Sequence, residues 1–310
     1  MFPMLLLTIS VAAPIEVQTL SLDWKDSKRD LVVPVKVYLP KGDGPFPIVI
    51  FSHGLGGSRD GYSYLGQHWA THGYISVHPT HIGSDTSLIK GKKLTDVMPE
   101  LRKATTNPAN LLNRPRDVSF IIDELTRLND ADGPFKGKCD LKHIGIAGHS
   151  FGAYTTMAIA GQVFPLVIKD QSFGDDRVKC AIAMSSQPPN IKSNYAKAYG
   201  SITMPIFHMT GTKDDSPIQG DFDPKLRRVA FDEITKAEQF LLVFKDGDHM
   251  VFSGRARTIA NSTDERYQSL ILQSSTAFWD AYLKGDDKAK SWLKSDFAGV
   301  LKSDGTFEKK

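Results

Sequence analysis

At 310 residues, with 41% hydrophobic and 24% charged residues, the chain has the composition of a soluble globular protein and a length common for one-domain α/β folds. Its formal net charge of +3 is close to neutral for this size, which argues against a nucleic-acid or anionic-membrane partner. No stretch is apolar for long enough to span a bilayer.

In chain order, Met4 to Val11 is a short apolar run, and Val11-Ala12-Ala13 has the small residues of a cleavage site. Residues 1–13 are therefore read as a signal-like segment of an exported protein, periplasmic or secreted, with a cytoplasmic enzyme as the alternative. Residues 14–310 would form one domain. Val17 to Trp24 and Leu31 to Leu39 predict an opening antiparallel pair of strands. Pro47-Ile48-Val49-Ile50-Phe51 is a buried strand running into the loop Ser52-His53-Gly54-Leu55-Gly56-Gly57. That loop lacks the Gly-Lys-Ser/Thr ending of a phosphate-binding loop. A helix over Tyr62 to Thr71 stops at His72-Gly73, and Tyr74 to Val77 is the next strand. Ser84 to Asn113 reads as a long polar connection and Pro115 to Leu128 as an amphipathic helix.

Further strands follow at Ile144–Ala147, Ala181–Met184, the Pro205 run and Phe240–Phe244, with a last long helix over Asp264 to Leu283. Strands alternating with helices predict a mostly parallel, eight-stranded-type sheet covered by helices on both faces. Two insertions, about 84–113 and 185–204, leave the same edge of that sheet. Segments of this length serve as lids or binding loops.

Chemistry concentrates at the ends of strands. Ile144-Gly145-Ile146-Ala147 runs directly into Gly148-His149-Ser150-Phe151-Gly152 and then a helix-forming stretch. Gly-x-Ser-x-Gly alone is a weak signal, but strand before and helix after are the context it requires. The glycines two residues either side of Ser150 remove side chains that would crowd so sharp a turn. A serine hydroxyl needs a base, and the base needs an orienting acid. His249, in Gly247-Asp248-His249-Met250 after one strand, is the base candidate. Asp214, three residues after Gly211 at the end of another strand, is the favoured acid, and Asp215 is the alternative.

The order Ser, Asp, His matches α/β-hydrolases. The motifs Phe51-Ser52-His53-Gly54-Leu55-Gly56, Gly148-His149-Ser150-Phe151-Gly152, Gly211-Thr212-Lys213-Asp214-Asp215 and Gly247-Asp248-His249 resemble those of the dienelactone-hydrolase-like group. Within it the nearest likeness is to platelet-activating-factor acetylhydrolases and cutinase-like polyester hydrolases, over about Val17 to Leu293. Serine stands where dienelactone hydrolases carry cysteine, which favours an ordinary serine esterase. The resemblance implies an oxyanion hole made by the backbone amides of Leu55 and Phe151. It also implies a serine carboxylic ester hydrolase with a Ser150-His249-Asp214 triad, acting on short-acyl or acetyl esters. Polyester or lipase-like esters, then amides or peptides, are the alternatives. A non-catalytic binding module usually lacks a triad member, and here each is present.

No cofactor is implied, and the expected partner is a small-molecule or lipid-like ester substrate. Oligomeric state leaves no mark in the sequence. His68 and His72, four apart on a helix, and the close pair His78 and His81 lack the Glu of His-Glu-x-x-His, so no metal is expected. His78 and His81 fall near the catalytic edge and could line the pocket. Cys139 lies just before the strand leading to Ser150 and Cys180 opens the next, and as parallel neighbours these strands would place both at the same bottom edge of the sheet. Both a disulfide and two buried thiols fit that placement.

Overall fold

The computed structural model describes residues 15–164, 171–218, 220–254 and 262–310. The signal-like segment expected over residues 1–13 lies outside them. Strands β1 (Val17–Asp26) and β2 (Leu31–Pro40) form the expected antiparallel pair, with Val17 opposite Pro40 and Asp26 opposite Leu31. Next come β3 (Phe46–Ser52), α1 (Ser63–Thr71) and β4 (Ile75–Pro79). Helix α1 ends where His72-Gly73 predicts, and Gly73 takes φ 82°, a conformation that a side chain would strain. The middle of the chain holds α2 (Leu94–Thr106), α3 (Pro108–Asp130), β5 (Cys139–His149) and α4 (Phe151–Ile159). A small hairpin, β6 (Val163–Phe164) with β7 (Gln171–Ser172), precedes β8 (Val178–Met184) and α5 (Tyr195–Tyr199). Then follow β9 (Ile206–Lys213), α6 (Val229–Glu233) and β10 (Gln239–Asp248). The last elements are α7 (Ser262–Leu283), α8 (Asp287–Ser295), α9 (Phe297–Leu301) and β11 (Gly305–Lys309).

One nine-stranded sheet runs in the order β1-β2-β4-β3-β5-β8-β9-β10-β11. Pairings from β4 through β10 are parallel, and the flanking ones are antiparallel. This is the α/β-hydrolase fold. The strand beyond the expected eight is β11, whose only large apolar residue is Phe307. So short and polar a run gives no strand signal in the sequence. It pairs along β10 and covers what would otherwise be a long apolar edge.

Helices cover both faces because the central strands are apolar on both. In β3, Ile48 and Ile50 join one core with Val118, Ile121 and Ile122 of α3 and Met157 of α4. Val49 and Phe51 point the other way, into a second core with Leu65 and Trp69 of α1 and Phe278 and Trp279 of α7. Period-two alternation divides one run of apolar residues between two layers.

Three sequence expectations change. The 84–113 connection is largely helical, because α2 fills Leu94–Thr106 and α3 starts at Pro108 rather than Pro115. The Asn107 side chain accepts a hydrogen bond from the Ala109 N–H (2.9 Å) and Pro108 occupies the first turn, a stronger start signal than Pro115 provides. The 185–204 insertion likewise folds inward, with Tyr195 and Tyr199 of α5 packed into the core. The cysteines are not level with one another. Cys180 pairs with Gly145, whereas Cys139 lies six residues earlier on the unusually long β5. Cys139 lies opposite Phe46 of β3 and Gly145 opposite Val49, because β5 bulges between them, so the offset is three strand residues, roughly 10 Å and beyond the ~7 Å limit of a disulfide. Both are buried free thiols.

Candidate active site

Parallel strands deliver their C-terminal ends to one edge, and the three side chains singled out in the sequence meet there. Ser150 sits between β5 and α4 with φ 57° and ψ −116°, a backbone conformation that costs of order 1–3 kcal/mol outside glycine. Its N–H donates to the Met184 carbonyl of β8 at 2.9 Å, which pins the turn. The flanking glycines are required by close approach. A Cβ on Gly148 would lie 2.3 Å from the Gly152 carbonyl oxygen, and one on Gly152 would lie 1.9 Å from the Ser52 carbonyl oxygen.

His249 follows β10, and its Nε2 lies 2.9 Å from Ser150 Oγ. Its Nδ1 lies 2.7 Å from Asp214 Oδ1. With Nδ1–H donating to the carboxylate, Nε2 is left to accept from the serine hydroxyl. Asp214 is fully buried, and its other oxygen accepts from Thr210 Oγ1 at 2.8 Å. Burial acts to raise its pKa, but the bond to His249 and the nearby Arg227 charge outweigh that and hold the carboxyl below its ordinary value. Asp215 is exposed, and only its backbone carbonyl faces inward, toward Arg227. Of the two aspartates, Asp214 is the one that contacts the histidine.

Arg227 was not singled out in the sequence. It is buried under Asp214, donating to the carbonyls of Asp214 (3.1 Å), Ser185 (2.8 Å) and Asp215 (2.8 Å). It also stacks over the Phe222 ring at 4.3 Å. A cation there fixes the carboxylate-bearing loop and balances its charge.

Leu55 lies beside Ser150 in the loop after β3, and Phe151 opens α4. Among the described residues neither backbone N–H is spent on another hydrogen bond. The loop is held from below. Gly56 N–H donates to the Ser84 carbonyl at 2.9 Å. His53 Nδ1 bonds the Gly54 carbonyl at 2.6 Å, and its Nε2 accepts from the His81 N–H at 3.0 Å. Burial, with Arg114 alongside, keeps His53 well below its usual pKa and therefore neutral.

Arg114 of α3 is a second buried cation that sequence reasoning missed. Its guanidinium reaches Thr155 Oγ1 of α4 (2.9 Å), Ser84 Oγ (2.7 Å), Ser52 Oγ (3.1 Å) and the His53 carbonyl, and it lies 4.5 Å from the centre of the Phe151 ring. One side chain thus joins the loop after β3 to α4. Burial lowers its pKa to about 9, so it remains charged at neutral pH.

The other histidines have structural partners. His81 bridges Ser52 Oγ (2.9 Å) and Asp117 (2.8 Å), and His78 bonds Ser76 Oγ at 3.0 Å and stacks on Phe51. Both are buried behind the loop after β3 instead of lining the pocket. His68 bonds Thr276 Oγ1 at 3.0 Å, and His72 bonds the His68 carbonyl at 2.7 Å. Among the described residues no group of three or more His, Cys, Asp or Glu side chains is placed to hold a metal. No helix among them is long and apolar enough to cross a membrane.

A serine on a strand-to-helix turn, within reach of a histidine on this fold, is the arrangement of a serine-nucleophile α/β-hydrolase. A family model described as "Platelet-activating factor acetylhydrolase, isoform II" matches residues 28–112. The chain is 22% identical to a guinea pig (Cavia porcellus) platelet-activating factor acetylhydrolase, over 84% of this chain and 63% of that protein. It is 25% identical to the Bos taurus protein of the same name, over 56% of this chain and 41% of the relative. A putative phospholipase A2 of Schizosaccharomyces pombe is 24% identical over 49% of this chain and 44% of the relative. The chain thus spans less than two thirds of the length of these curated relatives. It has the α/β-hydrolase fold, and over the matched residues its sequence is similar to platelet-activating factor acetylhydrolases.

Proposed function

We propose that the chain hydrolyses carboxylic esters through an acyl-enzyme on Ser150. The observation that carries this is the continuous chain of hydrogen bonds Ser150 Oγ–His249 Nε2 (2.9 Å) and His249 Nδ1–Asp214 Oδ1 (2.7 Å) at the strand-to-helix turn. In the first half-reaction Ser150 Oγ bonds to the ester carbonyl carbon while Nε2 takes the hydroxyl proton. The oxyanion is bound by the amides of Leu55 and Phe151. The carbon–alkoxy bond then breaks as Nε2 returns that proton to the leaving alcohol. In the second half-reaction water gives a proton to His249 Nε2 and adds its oxygen to the acyl carbon, and the bond from that carbon to Ser150 Oγ then breaks as Nε2 returns the proton to Oγ, releasing the acid. Asp214 holds the imidazole tautomer throughout, and Arg227 and Thr210 hold Asp214. No cofactor enters the scheme.

The names of the relatives support a lipid-like ester as substrate. The short-acyl or acetyl preference expected from the sequence is carried by those names alone. The test is hydrolysis of a p-nitrophenyl ester series, acetate through palmitate, by wild type beside Ser150→Ala. Hydrolysis by wild type, with a loss on the order of 10⁶ in kcat in the variant, is expected. Wild-type-like turnover by Ser150→Ala would remove the assignment.

A further inference from the structure

Two hollows of unequal size meet at Ser150 and Leu55. The larger, about 600 Å³, is walled by Leu111, Leu112, Tyr154, Phe164, Phe173 and Ile191 among others, and His249 does not line it. The smaller, about 140 Å³, is lined by His249 itself with Tyr62, Met98, Leu101, His149 and Met250.

Tetrahedral carbon decides which part of an ester enters which hollow. Once bonded to Ser150 Oγ, the carbonyl carbon has three remaining substituents. The oxyanion points at the amides of Leu55 and Phe151. The alkoxy oxygen must receive a proton from His249 Nε2, so the leaving group lies on the histidine side. The acyl chain takes the remaining direction, away from the imidazole. That direction leads into the larger hollow.

The wall there suits a long neutral chain. Aromatic rings follow one another outward from the nucleophile: Phe151 to Tyr154 at 5.5 Å, Tyr154 to Phe164 at 5.1 Å, and Phe164 to Phe173 at 6.2 Å between centroids. None of the described lining residues carries a charge. On the other side, the alcohol has room for only a few atoms before it passes the part-exposed Met250.

We propose that the larger hollow is the acyl pocket, so that the preferred substrates are esters of medium- to long-chain neutral carboxylic acids with a narrow alcohol. The proposal rests on the ester-hydrolase reading and reverses its short-acyl expectation. An acetyl ester would leave the large apolar hollow empty.

Ethyl octanoate and octyl acetate have the same molecular formula and differ only in which side of the carbonyl bears the chain. Each methylene fully buried is worth about fourfold in binding, so even partial burial of six gives a large difference. Wild type should show kcat/KM at least about tenfold higher for ethyl octanoate. In Leu112→Trp, which narrows the hollow, that ratio should fall at least severalfold. A wild-type ratio near one or inverted, or a ratio untouched by Leu112→Trp, would overturn the pocket assignment while leaving the ester hydrolase standing. Hydrolysis of neither isomer, nor of any p-nitrophenyl ester, would overturn both.

Discussion

The proposed acid is where a single residue matters most. Asp214 and Asp215 are adjacent, yet one is buried against His249 and the other faces solvent. Asp214→Asn should therefore lower kcat by ~10⁴, because a neutral amide no longer enforces the productive imidazole tautomer. Asp215→Asn should stay within a few-fold of wild type, and steady-state kinetics of the pair checks both. Asp214 also bears on stability. Its folded carboxyl releases its proton more readily than the ordinary value of 3.8. The ionised form is thus the one that favours folding. This contribution is present at neutral pH and is lost as pH falls from about 4 through the lower folded value. Urea unfolding between pH 7 and pH 3 should show a shallower acid loss in Asp214→Asn than in wild type. An unchanged acid limb would contradict the pairing.

At the scale of elements, the site depends on how closely β3 and α4 approach. Gly152 lies against the Ser52 carbonyl with no room for a methyl group. Gly152→Ala should cost about 1–3 kcal/mol and push the β3 loop from the nucleophile helix, with activity falling alongside. A wild-type denaturant midpoint would contradict this contact. Arg114 ties the same two elements together. Arg114→Met should lose ~3 kcal/mol by stranding a buried hydrogen-bond network, and activity should fall further if the Leu55 amide shifts. Arg114→Lys, which keeps the charge but not the planar fork, should recover only part of either loss. These glycines were legible in the sequence because a motif at fixed spacing states its own geometric reason. Arg114 and Arg227 were not, since an arginine beside other charged residues reads as surface until the fold closes over it. Helix α3 shows the same limit: Pro115 looks like a start, and only the Asn107 cap with Pro108 outcompetes it.

Across the whole molecule, a doubly covered parallel sheet gathers distant residues at one edge. Ser150, Asp214 and His249 each follow a different strand, β5, β9 and β10, and the strand order places those strands on one side of the sheet. The alternation of strand and helix made that architecture readable. The depth of each strand did not follow from it, which is why the cysteines looked level. Burial pushes the Cys139 thiol up to about 12 and raises Cys180 further from reactivity. Neither should react with a thiol reagent in the folded protein, and both should titrate once it is unfolded without reductant. Recovery of no free thiol in that unfolded sample would instead mean a disulfide. The central claim, that the Ser150 hydroxyl is the nucleophile, is tested most directly by intact-mass and peptide mass spectrometry after treatment with an organophosphorus fluoride. The account predicts a single phosphoryl adduct on the peptide carrying Ser150, absent from Ser150→Ala and formed far more slowly by Asp214→Asn. An unmodified Ser150 in a folded, esterase-active sample, or an adduct elsewhere that abolishes activity, would contradict it.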